Sequence, residues 1–474
     1  MANFEVNNGI AIIPEGTTTI DARAFENCIE LKSVVIPEGV TEIGYKAFCG
    51  CSSLRSIEIP STTTKIGWGI LNNCPELESI TVAEGNPVLD SREACNAIIR
   101  TESNILLEGC KSTVIPSSVT TIGVDAFAGC TGLRDILIPD SVTTIKANAF
   151  YGCTGLTKIV IPASVEEIED YDYNNYGGIF FQPFSGCSNL ASIIVNEGNT
   201  EYDSRENCNA IIKSHGNVLA VGCAATVIPQ SVTQIGQCAF AGSQVTDVHL
   251  PDSVRKLNFG AFADCVSLKS LILGKGLWAI AGRENYFGKP SALKNCKNLE
   301  TIILPASLDY IGTSVFEGCD KLCNIVVEDG NVHFDSRDNC NAVIFTAENK
   351  LVAGCQTSII PETVTKIEEY AFRFCNSLTD ITVPENVTEM GAQIFRDCTG
   401  LKSAAILGPV KDIGDPFVGC SSLETVTFGA GIKKMDEDIL ENAPALKCIN
   451  VPAKKSAYYK KRLPESVHDI IVEQ

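Results

Sequence analysis

The chain has 474 residues, is 45% hydrophobic and 20% charged, and carries a formal net charge of −20. That apolar content supports a packed core and excludes an intrinsically disordered chain. An acidic chain with no basic stripe lacks the clustered Lys and Arg that phosphate contacts need, so no nucleic-acid partner is expected.

Residues 1–12 read as an N-terminal cap, with Phe4 to Ile12 covering the first coil. From residue 13 to 452 one line recurs: Ile-Pro-x-x-Val-Thr-x-Ile-Gly-x-x-Ala-Phe-x-Gly-Cys-x-x-Leu-x-x-Ile-x. Residues 36–58 (IPEGVTEIGYKAFCGCSSLRSIE) and 138–160 (IPDSVTTIKANAFYGCTGLTKIV) are two copies, and the period is 23 residues. A fixed period of this length is the signature of a solenoid whose units pack only on their neighbours. Counting the residue before each strand-ending Pro, or its equivalent, gives about 18 coils. Leu-x-x-Ile-x-Ile alternates with period two and predicts a strand, which Pro ends because it has no N–H to donate. Val-Thr-x-Ile-Gly predicts a second short strand, and Ala-Phe-x-Gly-Cys a tight helical turn. A lone coil is unstable. Its six or so apolar side chains contribute about 1.5–3 kcal/mol each, less than the roughly 1–2 kcal/mol per residue that ordering its backbone costs.

The period breaks in two ways. Three segments, near 84–110, 197–223 and 328–355, share Asp-Ser-Arg followed by Cys-Asn-Ala. Each predicts a β-hairpin in place of the closing turn, with strands such as 96–100 and 105–108. Their Asp/Arg pairs (Asp90/Arg92, Asp203/Arg205, Asp335/Arg337) read as hydrogen-bonded corners, since a carboxylate beside Arg is a poor metal site. Two other insertions, near 170–182 and 282–291, are aromatic. The first carries Tyr171, Tyr173, Tyr176, Phe180 and Phe181. The second carries Arg283, Tyr286 and Phe287, with Trp278 just before it. Such composition suits a contact surface, or a fold-back that fills the gap left by the missing turn. The chain closes with a predicted helix–strand cap over 453–474, and one continuous domain is expected.

Strand alternation also sets an outward column. If Ile57 and Ile59 face inward, Glu58 faces out. The column is mostly aliphatic and includes Val160, Ile194, Val227, Ile272, Ile303 and Val326; Ile406 is placed in it by the same count. An exposed aliphatic ladder is either β-propensity on an open sheet face or a recognition stripe.

Twelve of the 22 cysteines sit in the Gly-Cys column, where a buried small hydrophobe with a weak S–H donor is expected. Hairpin folding sets Cys95 opposite Cys110, Cys208 opposite Cys223 and Cys340 opposite Cys355, which leaves disulfides or buried thiol pairs open. The four His lie in separate coils. No zinc, nucleophile-elbow or phosphate-loop motif is present, so no catalytic residue, metal or cofactor is expected.

The recurring line resembles the BspA-like leucine-rich repeats of bacterial surface proteins, with Cys where many leucine-rich repeats carry Asn. The resemblance covers nearly the whole chain. It implies an α/β repeat: a right-handed leucine-rich-repeat solenoid with a parallel β-sheet on the concave face and short strands and helical turns elsewhere. It also implies a non-enzymatic protein that recognises host or bacterial proteins or glycans in adhesion. An inert spacer or stalk and a cytosolic interaction scaffold are the alternatives. No window of about 18 uncharged apolar residues exists, so no membrane-spanning segment is expected. A cell-surface or secreted monomer, its signal peptide already removed, is expected, with the cytoplasm as the alternative location.

Overall fold

The alternation of the repeat folds as its chemistry dictates. The computed structural model describes residues 4–169, 182–283 and 289–474. The chain is a parallel-strand β-solenoid of about 19 turns with little helix. It divides into two compact units, Met1–Pro229 with Gly236–Gln244, and Gln230–Ile235 with Val245–Gln474.

In the first unit, most of the predicted main strands pair in parallel at equivalent repeat positions, whereas residues 113–115, 135–138 and 226–228 form no strand. Ser33–Val35, Ser56–Ile59 and Ser79–Val82 join one sheet, and Lys158–Ile161 pairs with Ser192–Val195. The second strands are two residues long and build their own ladder: Thr19–Ile20, Glu42–Ile43 and Lys65–Ile66. The second unit repeats this plan. Asp380–Val383, Ser403–Ile406, Thr425–Phe428 and Cys448–Val451 are consecutive parallel strands, and Ile471–Glu473 adds to the last of them. Between the strands the chain closes through hydrogen-bonded turns that do not lengthen into helices. Among the described residues the one α-helix is Ser456–Lys460, inside the helix predicted for the C-terminal cap.

The turn residues stack. Phe127, Phe150 and Phe184 lie 5.1 and 5.3 Å apart in the first unit, and Phe372, Phe395 and Phe417 lie 5.4 and 5.9 Å apart in the second. The Gly-Cys column follows from this stack. Cys51 donates its S–H to the Phe25 carbonyl at 3.2 Å, and Cys153 to that of Phe127 at 3.1 Å. In the second unit Cys398 donates likewise to Phe372 at 3.0 Å and Cys420 to Phe395 at 3.1 Å. A thiol is small enough for the core and adds a second hydrogen bond to a turn carbonyl that already accepts a backbone N–H of its own turn, as Phe25 does from Cys28 and Phe127 from Cys130. Burial pushes the Cys51, Cys130 and Cys420 thiols up to about 12.

Each hairpin is three antiparallel strands. The first is Leu89–Asp90, Ala97–Arg100 and Ile105–Gly109, with a bulge between Ile98 and Ile99. Arg92 grips Asp90 through Nε at 2.7 Å and Nη2 at 2.5 Å and reaches Asn104 Oδ1 at 2.9 Å. Arg205 and Arg337 repeat these contacts, so the Asp/Arg pairs are structural corners. Gly109 and Gly354 precede the hairpin-ending Cys for a steric reason: a Cβ there would lie 2.2 Å from the Phe127 ring and 2.1 Å from the Phe372 ring. All 22 cysteines are free thiols. Cys95 packs with Ala97 and Ile99, whereas Cys110 packs with Ile98, so the facing pair points to opposite sides of the hairpin.

Candidate binding surface

The outward column is real in both units. In the first, Val114 is 72% exposed, Leu137 81% and Val227 73%; Ile194 is exposed and Val160 half-buried. In the second, Ile272, Ile303, Val326 and Ile359 are all exposed. Their strand neighbours, such as Ile193, Val195, Ile302 and Leu304, are buried, as a two-residue side-chain period requires. One position is corrected. Ile406 is fully buried, because Thr382 pairs with Ala405 and Val383 with Ile406. Leu407 and Gly408 stand between this strand and Pro409, so a count back from the turn falls one residue off, while the strand keeps its neighbours' register with Ile406 beside Val383 and Phe428.

The structure brings two of the expected residues into one cleft. The main-strand ladder opens between Ser270–Ile272 and Thr301–Leu304, which belong to separate sheets. A cleft of about 350 Å³ lies there, lined by Ile272 and Ile303 with Lys269, Ser270, Glu300 and Glu328. Trp278 and Arg283 are not part of it. Trp278, 46% exposed, precedes the second strand Ala279–Ile280; exposed Tyr310, in the neighbouring second strand, was not singled out from sequence. Arg283 faces buried Glu317 at 3.8 Å. Tyr171, Tyr173, Tyr176, Phe180, Phe181, Tyr286 and Phe287 lie outside the described residues.

A second cleft, unforeseen from sequence, sits beside the first hairpin. Its volume is about 330 Å³, and its apolar walls are Ile66, Trp68, Ile105, Leu107 and Val124. Trp68 packs on Tyr45 at 4.1 Å, with Lys46 over both rings. Glu108 lies at the wall, 2% exposed, and its carboxyl accepts from the N–H groups of Ile70 at 2.8 Å and Leu71 at 3.3 Å. The counterpart of the Leu71 N–H, that of Phe48, donates to the carbonyl of the next coil; the hairpin replaces that turn, and Glu108 stands in for it. Burial raises the Glu108 carboxyl well above the ordinary range, and burial raises that of nearby Asp125 as well. The sequence signal was an acid on an apolar strand: Val221 and Ala353 occupy the matching places in the other two hairpins. Among the described residues, no group of three or more His, Cys, Asp or Glu is placed to hold a metal ion. No helix among them is long and apolar enough to cross a membrane.

Solved bacterial leucine-rich repeat proteins resemble the chain at low identity. One from Bacteroides ovatus is 22% identical, over 98% of this chain and 94% of that one, with a TM-score of 0.39. A leucine-rich cell-surface protein from Faecalibacterium prausnitzii is 21% identical over 95% and 86%, with a TM-score of 0.37. No curated protein matches the sequence. The family model for the BspA type leucine rich repeat region matches in six copies, over residues 6–96, 107–214, 222–341 and 348–461. With that match across most of its length, the chain belongs to the BspA-type leucine-rich repeat family.

Proposed function

We propose that this protein is a non-enzymatic binding solenoid of the bacterial cell surface that recognises a host or bacterial protein or glycan in adhesion. The observation that carries the reading is the exposed aliphatic column. Side chains such as Val114, Leu137 and Val227 in one unit, and Ile272, Ile303 and Ile359 in the other, stay in water while adjacent residues such as Ile115, Ile138, Leu304 and Ile360 are buried. Aliphatic side chains exposed at successive coils suit a protein partner that removes them from water, at roughly 25 cal/mol per Å² buried. The aromatic insertions near 170–182 and 282–291 are the second contact element of this reading.

The test is capture on arrays of matrix proteins, bacterial surface proteins and glycans. Leu137→Lys with Val227→Lys, and Ile272→Lys with Ile303→Lys, each alter one unit on its solvent side and should leave the melting temperature within a few degrees. Loss of capture in either double variant supports the reading. Capture that survives both double variants and deletion of the two aromatic insertions removes it.

A further inference from the structure

The cleft beside the first hairpin has the form of a ligand site. The second-strand ladder stops at Lys65–Ile66, and the hairpin strand Ile105–Gly109 that follows in space belongs to another sheet. Gly67 donates its N–H back to Ile43 at 2.8 Å, so the alternation of the strand turns the N–H and C=O of Ile66 the other way, toward the hairpin. At the second hairpin the equivalent group is Ile168, and its N–H donates to the Tyr202 hydroxyl at 2.8 Å. The first hairpin carries Leu89 at the position of Tyr202, as their pairings with Arg100 and Lys213 show. Leucine has no acceptor, and the Ile66 N–H finds no partner among the described residues.

The charges around the cleft sort cleanly. Lys146 is taken up by Glu169 and by Glu167 at 3.9 Å. The Glu108 carboxyl is turned onto Ile70 and Leu71. Arg100, exposed at the cleft wall, forms no ion pair among the described residues. The cleft therefore offers five apolar walls, one uncompensated guanidinium and one open backbone donor. The third hairpin lacks this set: Lys350, at the place of Ile105, is paired with Glu368 at 2.7 Å.

We propose that this cleft binds a small apolar carboxylate, its aromatic or branched body against Trp68, Ile105 and Leu107 and its carboxylate held by Arg100 and the Ile66 N–H. Anions paired with guanidinium and backbone N–H make charge-assisted hydrogen bonds, and a volume near 330 Å³ admits a ligand of about one ring. The inference is independent of the adhesive surface, which uses other strands.

The probe is 3-phenylpropionate, titrated into the full chain by calorimetry, with 3-phenylpropionamide as its uncharged twin. The expected result is saturable binding of the acid, at least tenfold weaker binding of the amide, and at least tenfold loss in Arg100→Ala. Leu89→Tyr copies the second hairpin, caps the Ile66 N–H and should abolish binding while leaving the melting temperature equal or higher. No saturable heat with the acid up to millimolar concentration overturns the proposal. Equal affinity for acid and amide, or unchanged affinity in both variants, overturns it too.

Discussion

The first and second hairpins share a frame and differ in how they seal the ladder that they interrupt. Both hold their corner with the same Asp–Arg grip, and both place a glycine under the next phenylalanine ring. The second seals its gap with Tyr202 and satisfies the Phe184 N–H with Gln182 Oε1 at 3.0 Å. The first uses a buried acid, Glu108, for the turn and leaves the strand gap open beside Trp68. A repeat array can thus hold its framework constant while one side chain per module decides whether a gap is filled or left as a site.

The shared frame should break equally on both sides. Phe150→Ala removes a fully buried ring from the stack and should cost about 3–5 kcal/mol in chemical denaturation, the largest effect expected here. Asp90→Ala and Asp203→Ala should each cost about 1–3 kcal/mol, and the two values should agree, because each leaves the same half-buried guanidinium without its carboxylate. Values that differ widely would show that the two corners are not equivalent.

The differences should appear in smaller effects. Tyr202→Phe takes the acceptor from Ile168 N–H and should cost about 1 kcal/mol. Leu89→Phe gives the first hairpin the ring of the second without its hydroxyl, and should leave the Ile66 N–H open if the hydroxyl, not ring size, seals the gap. Glu108 sets a pH dependence that Val221 cannot. Its carboxyl titrates above the unfolded value of 4.5, so the folded state holds more protons than the unfolded state as pH rises from there. Stability contributed by the protonated acid is full below 4.5 and declines as pH rises through the folded value. Glu108→Gln should flatten this decline in thermal melts, leaving the smaller slope of Asp125, whose carboxyl is raised in the same direction.

Much of the fold was legible because the repeat reports each coil many times. The period, the two strand positions, the hairpins and the buried cysteine column all follow from side-chain alternation and turn chemistry. The register failed at Ile406, where Leu407 and Gly408 part the strand from Pro409 and the count was taken from the turn rather than from the Leu401-x-x-Ala404-x-Ile406 spacing, which places Ile406 inward. The outward column was legible except for that position. The cleft beside Trp68 was not, because its walls come from residues 66 to 146, and sequence does not show which ladders fail to join. Glu108 was the available clue, an acid where sister strands carry Val and Ala. The grouping of Ile272 with Ile303 depends on an opening between strands that no residue announces.

The ladder is sealed at the second hairpin and open at the first. Amide hydrogen exchange in the native protein reads it directly, by comparing Ile66 N–H with Ile168 N–H. The expected result is strong protection of Ile168, lost in Tyr202→Phe, and fast exchange of Ile66 that Leu89→Tyr slows. Equal protection of the two amides in the unaltered chain would contradict it.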